Sequence, residues 1–95
     1  MIADFSISPV GKGESLSATV ADAFRIIKAS GVAHEHHAMG TNLEGDWDEV
    51  MAVIKTCRDR LLESSDRVSI SIKIDDRKTA VNGIVNKVQS ATEKM

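Results

Sequence analysis

Two stretches of the chain alternate between apolar and polar residues, a pattern that predicts β-strands with one buried face. In residues 2–8 the two sides are Ala3, Phe5 and Ile7 against Asp4, Ser6 and Ser8. In residues 67–75 they are Val68, Ile70, Ile72 and Ile74 against Ser69, Ser71, Lys73 and Asp75. Weaker patterns predict two more strands, over residues 32–38 and 40–44.

Between these strands, apolar residues recur every three or four positions, as they do on the buried side of a helix. The first such stripe contains Leu16, Val20, Ala23, Phe24 and Ile27, and Gly31 supplies a C-terminal stop. The second helix is predicted from about Asp46 to Glu63, with a stripe of Trp47, Val50, Met51, Ile54, Cys57 and Leu61. A last helix is predicted from about Lys78, with Val81, Ile84, Val85 and Val88 on its apolar side.

The start of the second helix has a clear local signal. Gly45 allows the turn, Asp46 occupies the N-cap position, and acidic residues follow in the first turn, where the helix dipole favours negative charge. Trp47 is expected to anchor the core near this end, and Cys57 is expected to be an inert core thiol.

The predicted order is β-α-β-β-α-β followed by a helix, which is an α+β, ferredoxin-like plan within a single domain spanning residues 1–95. Its four-stranded antiparallel sheet would carry two helices on one face. The first and last strands would be neighbours, and their polar sides would together form an open face rich in small hydroxyls, made of Asp4, Ser6, Ser8, Ser69, Ser71 and Lys73. Such a face is suited to hydrogen bonding with something flat and polar, although a solvated face or a wet subunit interface would have the same composition.

Composition narrows the class of protein. The chain has 95 residues, 3% of them aromatic, and a formal net charge of −2, so its core must be aliphatic and nothing favours nucleic acid or anionic membranes as partners. No stretch approaches the roughly 20 apolar residues that span a bilayer, and no secretory signal is expected at the N-terminus. The lone cysteine excludes an internal disulfide and fits a reducing compartment. The small size favours self-association.

Candidate catalytic and metal motifs are weak. Gly11-Lys12-Gly13 lacks the spacing of a phosphate-binding loop. His34 and His36 share one side of a predicted strand and could chelate a metal, but two ligands alone are thin support, so we expect no metal site and no cofactor. No nucleophile, base and orienting residue can be assembled, which argues against an enzyme. RNA-recognition domains and copper chaperones share the plan, but this chain lacks their strand aromatics and their Cys-x-x-Cys motif, respectively.

Two motifs at this spacing carry a resemblance to a known family. Ser6-Ile7-Ser8-Pro9-Val10-Gly11, together with the segment from Gly40-Thr41-Asn42-Leu43-Glu44-Gly45 to Val50, resembles the thiamine-binding, YkoF-like family of small ferredoxin-like proteins. The resemblance covers nearly the whole chain. It implies a cytoplasmic homodimer or homotetramer that binds thiamine or its hydroxymethylpyrimidine moiety and is not an enzyme.

The resemblance also implies a ligand site. Ser6, Thr41 and Glu44 match family motif positions, and Ser8 and Asn42 complete the predicted set. Glu44 would be the charged anchor, because a carboxylate can accept from an amino group or hold a cation. The chain departs from the family at His34 and His36, where relatives more often have an aromatic and an aliphatic residue. The main alternative is a structural or regulatory oligomer that binds a different small ligand.

Overall fold

Four antiparallel strands and two helices are built from residues 1–10 and 16–78, which are the residues that the computed structural model describes. The elements are β1 (Ile2–Pro9), α1 (Leu16–Ser30), β2 (Ala33–His37), β3 (Gly40–Glu44), α2 (Trp47–Leu62) and β4 (Val68–Asp75). This is the predicted ferredoxin-like order. The predicted C-terminal helix and the Gly11-Lys12-Gly13 segment lie outside the described residues.

The strands are arranged in the order β2-β3-β1-β4, so β1 and β4 are neighbours, as the sequence predicted. Their register pairs Asp4 with Lys73, Ser6 with Ser71 and Ser8 with Ser69. Because directly paired residues lie on the same side of a sheet, these polar side chains share one face. We call this the open face, and the opposite one, on which the helices pack, the helix face.

A core that is aliphatic except for Phe5 fills the space between the helix face and the two helices. β1 and β3 contribute Ala3, Phe5 and Leu43, and the helices contribute Ala23, Ile27, Val50, Val53, Ile54 and Cys57. The buried side predicted for β1 is confirmed in the first half of the strand, where Ala3 and Phe5 are buried and Ile2 and Asp4 are not. Cys57 is completely buried within this cluster, as expected of a core thiol.

The backbone at the end of α1 and at the start of α2 has the predicted geometry, but the side chain of Trp47 does not lie where it was predicted. Gly31 has φ of 76° at the end of α1, and Asp46 has the extended conformation of an N-cap, without a side-chain capping bond. The expectation that Trp47 anchors the core is wrong, since 55% of its surface is exposed. Trp47 is the first residue of α2, one turn before Val50, where burial begins, so it projects past the end of the core.

Within residues 1–10 and 16–78, neither helix is long and apolar enough to cross a membrane.

Candidate ligand-binding site

The sheet has a notch beside the second half of β1. The pairing of β1 with β3 ends where Phe5 faces Thr41, because β3 begins one residue earlier, at Gly40. Ser6 and Ser8 continue along β1 beyond this point, next to the turn that joins β2 to β3. A cavity of about 260 Å³ opens there, bounded by β1, the turn and α1.

The cavity has an apolar floor and a polar edge. Its apolar surface comes from Phe5, Ile7, Val20, Phe24 and Met39, and its polar side chains are Ser6, Ser8, His37 and Thr41. Phe24 and Met39 are 41% and 84% exposed. Small-molecule sites in proteins typically combine a mostly apolar lining with a few polar groups that fix the orientation of the ligand.

Thr41 is held at the base of the cavity by a histidine. The Nδ1 atom of His36 lies 2.9 Å from Oγ1 of Thr41, which is 4% exposed, and the His36 ring stacks on Phe24 with centroids 3.9 Å apart. Burial, with a smaller contribution from neighbouring His34, lowers the pKa of His36 below its ordinary value of 6.5. His36 is therefore neutral at pH 7, and its ring supports the cavity wall without adding charge.

A second histidine borders the cavity from the open face. The backbone N–H of Met39 donates to Nδ1 of His37, at 3.3 Å, and Nε2 of His37 lies 3.0 Å from a carboxylate oxygen of Asp4. Because Nδ1 accepts one bond and the carboxylate accepts the other, the proton of the neutral ring is on Nε2. Asp4 and His37 thus close one side of the notch as a hydrogen-bonded pair.

The five predicted site residues fall into two groups. Ser6, Ser8 and Thr41 line the cavity, whereas Asn42 and Glu44 do not. Asn42 pairs with Asp4 and Glu44 pairs with Ile2, so both belong to the open face, and Thr41 is on the helix face of the same strand. Ser6 lies four positions along β1 from Ile2, the partner of Glu44, which is a distance of about 13 Å along the strand. One small ring therefore cannot contact both Ser6 and Glu44.

Most residues that line the cavity were not predicted as site residues, and Phe24, His37 and Met39 are the largest exposed side chains among them. The helical spacing predicts a core position for Phe24 on α1 and gives no role to Met39 or His37. The sequence carried one signal for His37, namely its position on the same side of β2 as Glu35, facing the polar side of β1. Nothing in the helical spacing of Phe24 distinguishes a residue at a cavity mouth from one within the core.

The described residues contain no group of three or more histidine, cysteine, aspartate or glutamate side chains placed to hold a metal ion. Cys57 is a poor candidate for a nucleophile, because burial raises the pKa of its thiol to about 11. We find no catalytic constellation among the cavity residues, whose polar members are hydroxyls and one imidazole that is already hydrogen bonded.

Comparison with known proteins decides the family. Residues 3–92 match the sequence model of the family described as thiamine-binding protein. This chain belongs to that family. A UPF0045 protein of Methanocaldococcus jannaschii is 41% identical over 93 residues, which are 98% of this chain and 93% of the relative.

Solved structures agree with the fold. A crystal structure of a hypothetical protein from M. jannaschii superimposes with a TM-score of 0.87 at 41% identity, covering 97% of this chain and 95% of the other. A domain of unknown function from Bacillus cereus gives 0.84 at 31% identity, covering 94% and 86%. A protein from Thermotoga maritima gives 0.82 at 21% identity, covering 95% and 96%, which shows a shared fold. In this chain, the notch beside β1 is the candidate small-molecule site.

Proposed function

We propose that this member of the thiamine-binding protein family is a non-enzymatic binder of thiamine or of its hydroxymethylpyrimidine moiety. The observation that carries the proposal is the cavity beside β1, whose lining combines apolar side chains with three hydroxyls of the predicted set, those of Ser6 and Ser8 from the open face and that of Thr41 from the helix face. The Thermotoga maritima neighbour, which shares the fold, carries a name that refers to thiamine biosynthesis or salvage.

The chemistry of an aminopyrimidine matches this cavity. Its flat ring has apolar faces that can lie against Phe24 and Ile7, while its edge has an amino donor and ring nitrogens that accept. A serine or threonine hydroxyl both donates and accepts, so the hydroxyls at the cavity edge can satisfy either kind of group. The proposed pose places the pyrimidine in the notch, with its edge toward Ser6 and Ser8.

Thiamine has a second ring, a thiazolium cation, and the open face offers it negative charge. From the notch, Asn42 is the next residue of β3 on this face, and Glu44 follows it. Asp4 is paired with Asn42 and adds another carboxylate nearby. In the proposed pose the cation extends from the notch toward Glu44, whose long side chain shortens the gap of about 13 Å. This arrangement gives Ser6, Ser8 and Glu44 a contact with the ligand.

The working form is proposed to be a cytoplasmic homodimer or homotetramer. The domain is small, and the described residues place both helices on the same side of the sheet, so its open face is available for a second copy. A non-enzymatic role fits the cavity, where we find hydroxyls and an engaged imidazole in place of a nucleophile and its base.

Calorimetric titration with thiamine and with hydroxymethylpyrimidine tests the proposal. The Ser6→Ala variant should bind both compounds about 2- to 10-fold more weakly, because it loses one hydrogen bond worth roughly 0.5–1.5 kcal/mol. Ser71→Ala is the matched control, since Ser71 faces Ser6 across the open face and does not line the cavity. Absence of binding by the wild type would contradict the function, and equal weakening by both variants would contradict the site.

A further inference from the structure

His34 and His36 form a pair of imidazoles that the proposed ligand site uses only in part. They occupy alternate positions of β2, an edge strand of the sheet, and therefore lie on the same side of it. Their ring centroids are 5.2 Å apart. His36 touches the cavity through Thr41, whereas His34 is exposed beside it and has no role in the proposed pose.

Each ring is hydrogen bonded through Nδ1, which leaves Nε2 as the nitrogen that can bind a further group. Nδ1 of His34 lies 2.9 Å from the carbonyl oxygen of Val32, and a carbonyl only accepts, so this nitrogen carries the proton. The neutral ring then has a lone pair on Nε2. Nδ1 of His36 lies 2.9 Å from Oγ1 of Thr41, and donation to that oxygen leaves Nε2 with a lone pair too. Among the residues that the structure describes, neither Nε2 atom has a hydrogen-bond partner.

We propose that His34 and His36 chelate one divalent transition-metal ion through their Nε2 atoms. Histidines that bind metals usually donate their other ring N–H to a carbonyl or similar acceptor; His34 does so to Val32, and the Thr41 hydroxyl can accept the same bond from His36. With metal–nitrogen bonds of about 2.0–2.1 Å and a tetrahedral angle, two coordinated imidazole centroids lie roughly 5 Å apart. The observed separation therefore needs little adjustment. Zinc, nickel and copper are the ions that imidazole suits.

This inference reverses the expectation from sequence alone. A His-x-His pair was weak support because spacing says nothing about ring orientation or tautomer. The hydrogen bond to Val32 fixes the tautomer of His34, the bond to Thr41 occupies Nδ1 of His36, and the distance between the two ring centroids fits a shared ion. The described residues offer no third protein ligand, so water completes the coordination shell and the site remains open on the strand edge.

The neighbouring His37 provides an internal contrast. It belongs to the same strand but lies on the open face, and both of its ring nitrogens are occupied, one by Met39 and the other by Asp4. The three histidines are exposed residues of one short strand. They differ in the lone pair that each can offer, so His37 is the matched control for a metal site.

Titration of untagged protein with Ni²⁺ and Zn²⁺, in competition with a chromophoric chelator, tests the inference. His34→Ala and His36→Ala should each weaken binding at least about 10-fold, and the double variant should be little worse than the weaker single variant, because a chelate needs both rings. His37→Ala should remain within about twofold of wild type. Wild-type affinity no greater than that of His34→Ala, or an equal loss in His37→Ala, would overturn the proposal.

The variant His36→Ala also loses the contacts with Thr41 and Phe24, so it could bind metal weakly only because it misfolds. Two further measurements do not depend on this variant. Thr41→Val keeps the shape of the residue and both rings but removes the acceptor for Nδ1 of His36, and should weaken metal binding roughly 10-fold. In wild-type protein, Zn²⁺ should shift the nitrogen resonances of Nε2 of His34 and His36 and leave those of His37 unchanged. Shifts at His37 alone would contradict the site.

Discussion

Gly40 lies against the backbone of Phe5, so closely that a Cβ on residue 40 would stand 2.6 Å from the Phe5 carbonyl oxygen. Contacts of this kind fix how near the β2–β3 hairpin approaches β1. Because the notch opens immediately beyond this point, the absence of a side chain at residue 40 sets the width of the candidate site. Glycine is therefore required at position 40, because any side chain there would collide with the backbone of β1.

Gly40→Ala should destabilise the protein by roughly 1–3 kcal/mol, because the obstacle is backbone and cannot rotate away. Gly45→Ala is the control: the nearest atom to its added Cβ would be the flexible carboxylate end of Glu49, and the change should stay within about 0.5 kcal/mol. Urea-induced unfolding of both variants measures the difference. Equal midpoints would show that the hairpin moves away from β1 at little cost.

Glu44→Gln should weaken thiamine binding by about 10- to 100-fold, because a charge-assisted contact of roughly 1.5–3 kcal/mol is lost. Hydroxymethylpyrimidine lacks the thiazolium cation, so its affinity should change little. Glu63→Gln, at the far end of α2, is the control for loss of a surface carboxylate. Titration of each variant with both compounds is the measurement. Equal losses for the two compounds would place Glu44 against the pyrimidine, and no loss for either would make it a surface charge.

The buried thiol of Cys57 should make stability depend on pH in the alkaline range. Its pKa rises from 9.0 to about 11 in the folded protein, so the unfolded chain loses the proton first. The thiol's contribution is therefore fully present below pH 9, and the free energy of unfolding should fall as the pH rises from 9 toward 11. Urea titrations at pH 8 and 10.5 measure the slope, and Cys57→Ala should reduce it.

The same shift predicts slow alkylation. At pH 8 the folded protein has about 100-fold less thiolate than the unfolded chain, and burial adds a further barrier to the reagent. Iodoacetamide should therefore react with Cys57 at least about 100-fold more slowly in buffer than in about 8 M urea, in which the chain is unfolded. Comparable rates would mean that α2 opens readily.

Alternation in the sequence was enough to predict the sheet. Ala3 and Phe5 of β1 are buried, as their alternation predicted. The buried side predicted for β4 is wrong in part, because Ile72 and Ile74 are each 37% exposed. The pairing of β1 with β4 follows from the order of elements. The notch could not be predicted in this way. It depends on the residue at which the pairing of β1 with β3 stops, and this is decided by the turn and by the close approach of Gly40, which are three-dimensional relationships.

Side-chain orientation marks a second limit of the sequence. Trp47 lies on the helical stripe yet projects beyond the core, since periodicity gives the direction of a residue around the helix axis and not the extent of the sheet beneath it. The tautomers of His34 and His37 depend on acceptors and donors supplied by Val32, Asp4 and Met39. These partners are known only once the positions of the strands relative to one another are known.

The turn between β2 and β3 contains two residues, Ala38 and Met39, because His37 pairs directly with Gly40. If the turn keeps two residues, one residue added to this segment slips β2 by one position against β3, and such a slip exchanges the two faces of a strand. His34 and His36 would then lie over the open side, and Glu35 would be driven against α1. The length of a two-residue connection therefore encodes which imidazoles stand beside Thr41 and which one stands beside Asp4.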